Sequence, residues 1–286
     1  MRQFIKTALL VAVPLLVAAA YIYQTYVKVD DYKHTGLSSA PPSVSLSEDA
    51  QWLSLFDGTS LQGWTPKITG YPAGVNHLDT FRVNEGAITV SYDQYAAWNG
   101  EFGHLFYDVP FERYILQLEY RFLGEQIAEG VTMAWAWRNS GVMIHSESPT
   151  SMTLDQDFPV SLEAQLLGAS PGKRRTTGNL CTPGTHVEMQ GALYEKHCIN
   201  GLVPGTVGDD WVQVELEVLG NDVVRHFING KLAIEYRNPQ LDTGDEDGKR
   251  LNQGGADIRL GDGYIALQSE SHPVQFRNLR LLPLPQ

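Results

Sequence analysis

The sequence predicts an all-β domain, a sandwich or jelly roll of two stacked antiparallel sheets. Three observations point there. After residue 50 no segment shows the 3.6-residue apolar period of an amphipathic helix. Short runs rich in β-branched and aromatic residues recur instead, and explicit turn chemistry separates them. So many short strands in one domain must stack as two sheets to bury their apolar faces.

The runs, in order, are Trp52–Phe56, Thr80–Val83, Ala87–Ser91, His104–Tyr107, Tyr114–Phe122, Gly141–His145, Val160–Leu167, Trp211–Leu219, Val223–Ile228, Leu232–Tyr236, Tyr264–Gln268 and Val274–Leu281. Asn84-Glu85-Gly86, Gly220-Asn221 and Asn229-Gly230 mark hairpins. Asn-Gly is favoured there because both residues tolerate positive φ. Gly168 to Gly208 lacks long strand patterns and reads as a long loop on one side of the sandwich. Asp242 to Gly263, acidic and Gly-rich, reads as a second irregular insertion. Long loops on a rigid β scaffold are often functional.

Ahead of this domain, Arg2 and Lys6 precede an apolar stretch from Thr7 to Tyr23. Residues 1–25 therefore read as a secretory signal or an uncleaved membrane anchor, with the remainder exported to the periplasm or beyond. Ala18-Ala19-Ala20 offers a cleavage site, whereas the apolar and aromatic run from Tyr21 to Val27 suits an anchor held through residues 7–23. Residues 26–50 are rich in Ser, Pro and acid and read as a flexible linker. Residues 51–286 suffice for one β domain with its own core. A net charge of −12 argues against nucleic acid and against anionic lipid as partners. The only cysteines are Cys181 and Cys198. In an exported protein they are expected to pair as a disulfide.

The most informative segment is Pro159-Val160-Ser161-Leu162-Glu163-Ala164-Gln165-Leu166-Leu167. Val160, Leu162, Ala164 and Leu166 share one face; Ser161, Glu163 and Gln165 share the other. That second face is either the wet side of an ordinary strand or a polar ladder lining a sugar-binding groove, since sugars need several hydrogen-bonding groups on a rigid platform. In Arg138-Asn139-Ser140-Gly141-Val142-Met143-Ile144-His145, a regular strand would align Asn139, Met143 and His145. In Gln268-Ser269-Glu270-Ser271-His272-Pro273, Gln268 and Glu270 point one way, and Glu270 with His272 could form an acid–base pair or a plain polar turn.

Several motifs are missing: Gly-x-Ser-x-Gly, His-Glu-x-x-His and a phosphate-cradling glycine loop. Asp245-Glu246-Asp247-Gly248 hints at a calcium loop, but the twelfth position is Gly254, not Glu. The tryptophans are numerous enough to include a sugar-stacking platform, although large aromatics mostly pack between sheets.

Together these motifs resemble the 3-keto-disaccharide hydrolase domain family. The resemblance rests on Phe56-Asp57-Gly58 leading to Leu61 and Gly63-Trp64, on His104-Leu105-Phe106, and on Leu118-Glu119-Tyr120-Arg121-Phe122. Asn139-Ser140-Gly141-Val142-Met143, Leu162-Glu163-Ala164-Gln165-Leu166, and Ile265 to Glu270 with Phe276-Arg277-Asn278 complete it. The loop Thr177 to His186 with Lys196-His197-Cys198 is similar to one subgroup only, and His145 stands where many relatives carry Arg.

The resemblance implies a concanavalin A-like jelly roll of the lectin and glucanase type. It also implies a hydrolase or lyase acting on glycosides already oxidised to a ketone at carbon 3. The ketone acidifies the carbon-2 proton, so a base can remove it and the enolate can expel the carbon-1 substituent; hydration completes net hydrolysis. Glu163 is then the candidate base, and His145, Glu270 or His272 the candidate acid. Asn139, Gln165, Gln268 and Arg277 are candidate substrate-binding donors. A divalent metal would suit the enediolate, but the sequence shows no definite ligand set and no cofactor motif. Two other readings stand beside this one. A non-catalytic carbohydrate-binding module would share the polar ladder. A retaining β-glucanase would need a second carboxylate close by, and this strand supplies one.

Overall fold

The computed structural model describes residues 51–285. The expected N-terminal signal or anchor and the linker, residues 1–50, lie outside the described residues. Among the described residues no helix is long and apolar enough to cross a membrane.

The strands are, in order, β1 (Leu53–Ser54), β2 (Trp64–Ile68), β3 (Phe81–Asn84), β4 (Ala87–Val90), β5 (Gly103–Tyr107) and β6 (Arg113–Phe122). Next come β7 (Asn139–Ser146) and β8 (Leu162–Ala169). A set of short strands follows: β9 (Thr176–Thr177), β10 (Asn179–Cys181), β11 (Thr185–Met189), β12 (Ala192–Tyr194), β13 (Cys198–Ile199), β14 (Val203–Pro204) and β15 (Thr206–Val207). The chain closes with β16 (Val212–Leu219), β17 (Val224–Ile228), β18 (Lys231–Leu241), β19 (Tyr264–Ser269) and β20 (Val274–Pro283).

One sheet has ten strands in the order β12, β11, β18, β17, β16, β6, β20, β4, β3, with β1 beside β20. The other has eight in the order β13, β10, β8, β7, β19, β5, β2, with β15 beside β8. This is the predicted jelly-roll sandwich. Leu116, Leu118 and Tyr120 of β6 and Val214 and Leu216 of β16 form one core with Val142, Ile144, Leu162, Ala164, Leu166 and Leu267 of the facing sheet. Burying each such side chain contributes about 1.5–3 kcal/mol. The Asn229-Gly230 hairpin turns as expected, with φ of 48° and 72°.

Three parts differ from the sequence reading. Gly168 to Gly208 is not an irregular loop but holds β9 to β15, each of two to five residues and too short to show a period. Asp242 to Gly263 contains a helix, α1 (Glu246–Gln253). Its one large apolar residue, Leu251, leaves no amphipathic stripe to read. Asp245 starts it by accepting from the backbone N–H groups of Asp247 and Gly248 at 2.9 and 3.0 Å, which is the role of that acidic cluster. Arg250 then ties it down, donating to Ser151 O at 2.8 Å and to Glu147 at 3.1 Å. The third difference is β2, hidden from pattern reading by Pro66. It lies at the sheet edge, where a missing N–H breaks no ladder bond.

Cys181 and Cys198 are bonded to one another, as expected. They sit directly opposite each other on β10 and β13, with Cα atoms 4.1 Å apart. That is slightly inside the usual lower bound of about 4.4 Å.

Candidate active site

The face of the eight-stranded sheet turned away from the core carries a concentrated set of polar groups. Alternation along β8 points Leu162, Ala164 and Leu166 into the core, so Glu163 and Gln165 take the opposite face. Pairing then brings distant segments together. Ala266, Met143, Glu163, Cys181 and Cys198 lie in one row across β19, β7, β8, β10 and β13. A second row runs Lys67, His104, Gln268 across β2, β5 and β19, and Gly141, Gln165, Asn179 across β7, β8 and β10. Continuing the β19–β7 register sets Gln268 level with Gly141, and Glu270, one step past the strand, level with Asn139.

Gly141 shapes the centre. A Cβ there would lie 2.6 Å from Glu163 Oε1, so the Glu163 carboxyl lies across the backbone of β7 and only glycine leaves room for it. Glu163, Glu270, Asn139, Gln268, His104 and His272 are all buried. Glu163 Oε1, Glu270 Oε2, Asn139 Oδ1 and Gln268 Oε1 have no hydrogen-bond partner. Native proteins pair nearly all buried polar atoms, so several orphans on one face mark it as a surface suited to meeting polar groups.

Burial pushes the Glu163 carboxyl well above its usual range. Glu270 is raised further, by burial first and then by the charge of Glu163, partly offset by Arg175. Burial and the repulsion between them favour the protonated form of both carboxyls. Release of one proton from the pair leaves one carboxylate and one carboxylic acid on the same face, which is the equipment for general acid–base catalysis. Arg175 is the half-buried cation beside them. It donates to Trp135 O at 2.8 Å, to Gly168 O at 3.2 Å and to Trp137 O, and remains cationic although burial lowers its pKa to about 10.

The predicted residues divide by placement. Glu163, Gln165, Asn139, Gln268 and Glu270 converge. Gln165 is oriented by Asn179 Nδ2, which donates to its Oε1 at 3.0 Å. His272 sits at the Glu270 end, but Ser271 has φ of 72° and breaks the alternation, turning the ring edge-on to Phe122 and Trp137. His145 lies apart. Its φ of 47° and the register shift between β7 and β19 make a bulge, and its Nε2 pairs with Gly220 O at 3.1 Å. Arg277 is on the outer face of the other sheet, in a 2.6 Å ion pair with Glu119 and over the Trp211 ring. It contributes nothing to the face that holds Glu163. The sequence reading did not place Lys67, His104 or Arg175 in the site, although His104 opens one of the phrases that carry the resemblance, and it missed the cradle role of Gly141. Trp64 and Trp98 are core residues rather than a sugar platform. Among the described residues no three His, Cys, Asp or Glu side chains converge into a cation-binding set.

These shifts set the pH dependence of stability. Burial lowers His104 to about 3 and His145, His226 and His272 to about 4. Below about pH 6.5 the unfolded chain takes up protons that these folded imidazoles refuse, so stability falls with acidification. Above that pH the folded carboxyls retain protons that the unfolded chain has released, so stability falls as pH rises. The melting temperature is therefore expected to peak near pH 6.5, with an alkaline limb that Glu163→Gln flattens. A melting temperature flat from pH 6.5 to 8 would contradict the carboxyl assignment.

The two packed antiparallel sheets define a jelly roll. The chain belongs to the family of 3-keto-alpha-glucoside-1,2-lyase-like domains, whose model matches residues 51–282. Among solved structures, a candidate glycosyl hydrolase from Parabacteroides distasonis is 17% identical, with 82% of this chain and 94% of that one covered at a TM-score of 0.45. Carbohydrate binding module CBM66 from Bacillus subtilis is 9% identical, covering 78% and 98% at 0.40. The laminarinase from Rhodothermus marinus is 11% identical, covering 82% and 97% at 0.43. No curated protein sequence matches the chain.

Proposed function

We propose that this protein, exported by its N-terminal segment, cleaves glycosides that carry a ketone at carbon 3. Glu163 removes the carbon-2 proton, and the electron pair moves onto the carbon-3 oxygen as an enolate. Collapse of the enolate expels the carbon-1 oxygen, which Glu270 protonates. Water then adds across the new carbon-1–carbon-2 double bond, hydroxyl to carbon 1 and proton to carbon 2, completing net hydrolysis. Asn139, Gln165 and Gln268 hydrogen-bond the sugar hydroxyls. The observation that carries this reading is the buried Glu163–Glu270 pair, two carboxyls on one face, of which one can serve as base and the other as acid.

Two carboxyls on one face would also suit direct glycoside hydrolysis. The deciding experiment incubates the purified domain with a 3-keto-glucoside and its parent glucoside in deuterated water. The expected result is consumption of the keto compound alone, with deuterium at carbon 2 of the product above an enzyme-free control. Turnover without that label would show displacement at carbon 1, consumption of the parent would show an ordinary glycosidase, and binding without turnover a carbohydrate-binding module.

A further inference from the structure

We propose that His104 is a further catalytic residue of this site, donating a ring N–H to the carbon-3 oxygen as that oxygen becomes an enolate. The inference rests on the reading above and adds the electrophile that it lacks. An enolate mechanism needs a donor fixed where negative charge develops, because preorganised donors in a dry site supply much of the barrier reduction.

His104 meets that need by position. It is fully buried, yet neither ring nitrogen has a hydrogen-bond partner. A buried imidazole always carries at least one N–H, and leaving it unsatisfied costs about 1–3 kcal/mol. Its ring lies near Phe158 and Phe106, with centroids at 5.9 and 6.3 Å, and these fix its plane without satisfying either nitrogen. In register it stands between Lys67 and Gln268, on the same face as Glu163. Gln268 is level with Gly141, over which the Glu163 carboxyl lies. Two strand spacings of about 4.8 Å therefore separate His104 from the base, roughly 10 Å. That is a spacing between backbones; the imidazole reaching in from β5 and the carboxyl from β8 act on neighbouring atoms of one sugar held over Gln268, the carbon-3 oxygen and carbon 2.

The electrostatics agree. Burial, with the Lys67 charge beside it, keeps the imidazole neutral throughout the working range. A neutral imidazole polarises a carbonyl without fully transferring its proton, the arrangement known from triosephosphate isomerase. Lys67 Nζ is anchored to Ile68 O at 3.1 Å and Leu154 O at 3.0 Å, so its charge stays beside the developing enolate.

The test compares wild type, His104→Ala and His104→Gln, each checked for native melting, in two measurements. The first is enzyme-dependent deuterium exchange at carbon 2 of a 3-keto-glucoside. The second is binding of 3-keto-glucose against glucose by calorimetry. His104→Ala is expected to slow exchange about 10²–10³-fold and to abolish the preference for the keto sugar. His104→Gln, which restores an N–H donor, should recover part of both, and it carries the test alone if the alanine variant does not fold. Exchange within roughly threefold of wild type and a retained keto preference in the variants would overturn the assignment. If wild type prefers the keto sugar but shows no exchange, the elimination reading falls. The binding preference still decides His104 in that case: its loss in the variants upholds the contact and its retention overturns it. Absence of any keto preference in wild type also overturns it.

Discussion

Glu163→Gln is expected to lower kcat/KM on a 3-keto-glucoside by about 10²–10⁴-fold, the usual contribution of a general base. Glutamine keeps the shape and can still hydrogen-bond a hydroxyl, but it cannot accept the carbon-2 proton. Substrate binding should therefore change little. Stability should move the opposite way: the folded wild type ionises a buried carboxyl as pH rises, and the amide does not, so the variant should melt higher than wild type at pH 8. Lost activity with raised alkaline stability is a signature that a damaged core would not give. A variant that keeps wild-type turnover would remove Glu163 as the base.

Gly141→Ala is expected to cost about 10²-fold in kcat/KM, because a displacement of about 1 Å at a catalytic group has that effect. The added Cβ would meet Glu163 Oε1, Cγ and Cδ at 2.6, 2.7 and 2.9 Å. The carboxyl must leave its cradle or the strand must shift, and overpacking of this kind typically destabilises by about 1–3 kcal/mol. Gly261→Ala is the matched control. A Cβ at that position meets nothing within 4 Å, so activity and melting should both stay at wild-type values. Equal activity of the two variants in a steady-state assay would show that the close approach at Gly141 does not position the base.

What could be read from the sequence follows from which forces act locally. The alternation in Val160 to Leu167 placed Glu163 and Gln165 correctly because side-chain direction has a period of two. The Asn229-Gly230 turn was legible because few residue pairs accept two positive φ values. The meeting of Glu163 with Glu270 was not legible as geometry, since it depends on the register of β19 on β7 and of β7 on β8. His145 and His272 went astray for one reason: a positive φ, at His145 itself and at Ser271, ends the alternation on which their placement relied. Arg277 follows Glu270 closely in sequence, but β19 and β20 belong to different sheets, so the turn between them carries it to the other side of the molecule. His104, Lys67 and Arg175 needed the assembled site, because a single basic residue has no pattern of its own.

The edges of the eight-stranded sheet decide whether a strand from another chain can add itself to it. Unpaired strand edges are templates for foreign strands. At one edge, Pro66 offers no N–H, and its carbonyl is already taken by the Gly74 N–H at 2.7 Å. At the other, β13 is two residues long and covalently tied to its neighbour by Cys181–Cys198. An incoming strand finds too few free backbone groups at either end to add itself. The sheet that holds the polar face of the site is thus closed to extension at both edges, at one of them by a disulfide in the same row as Glu163.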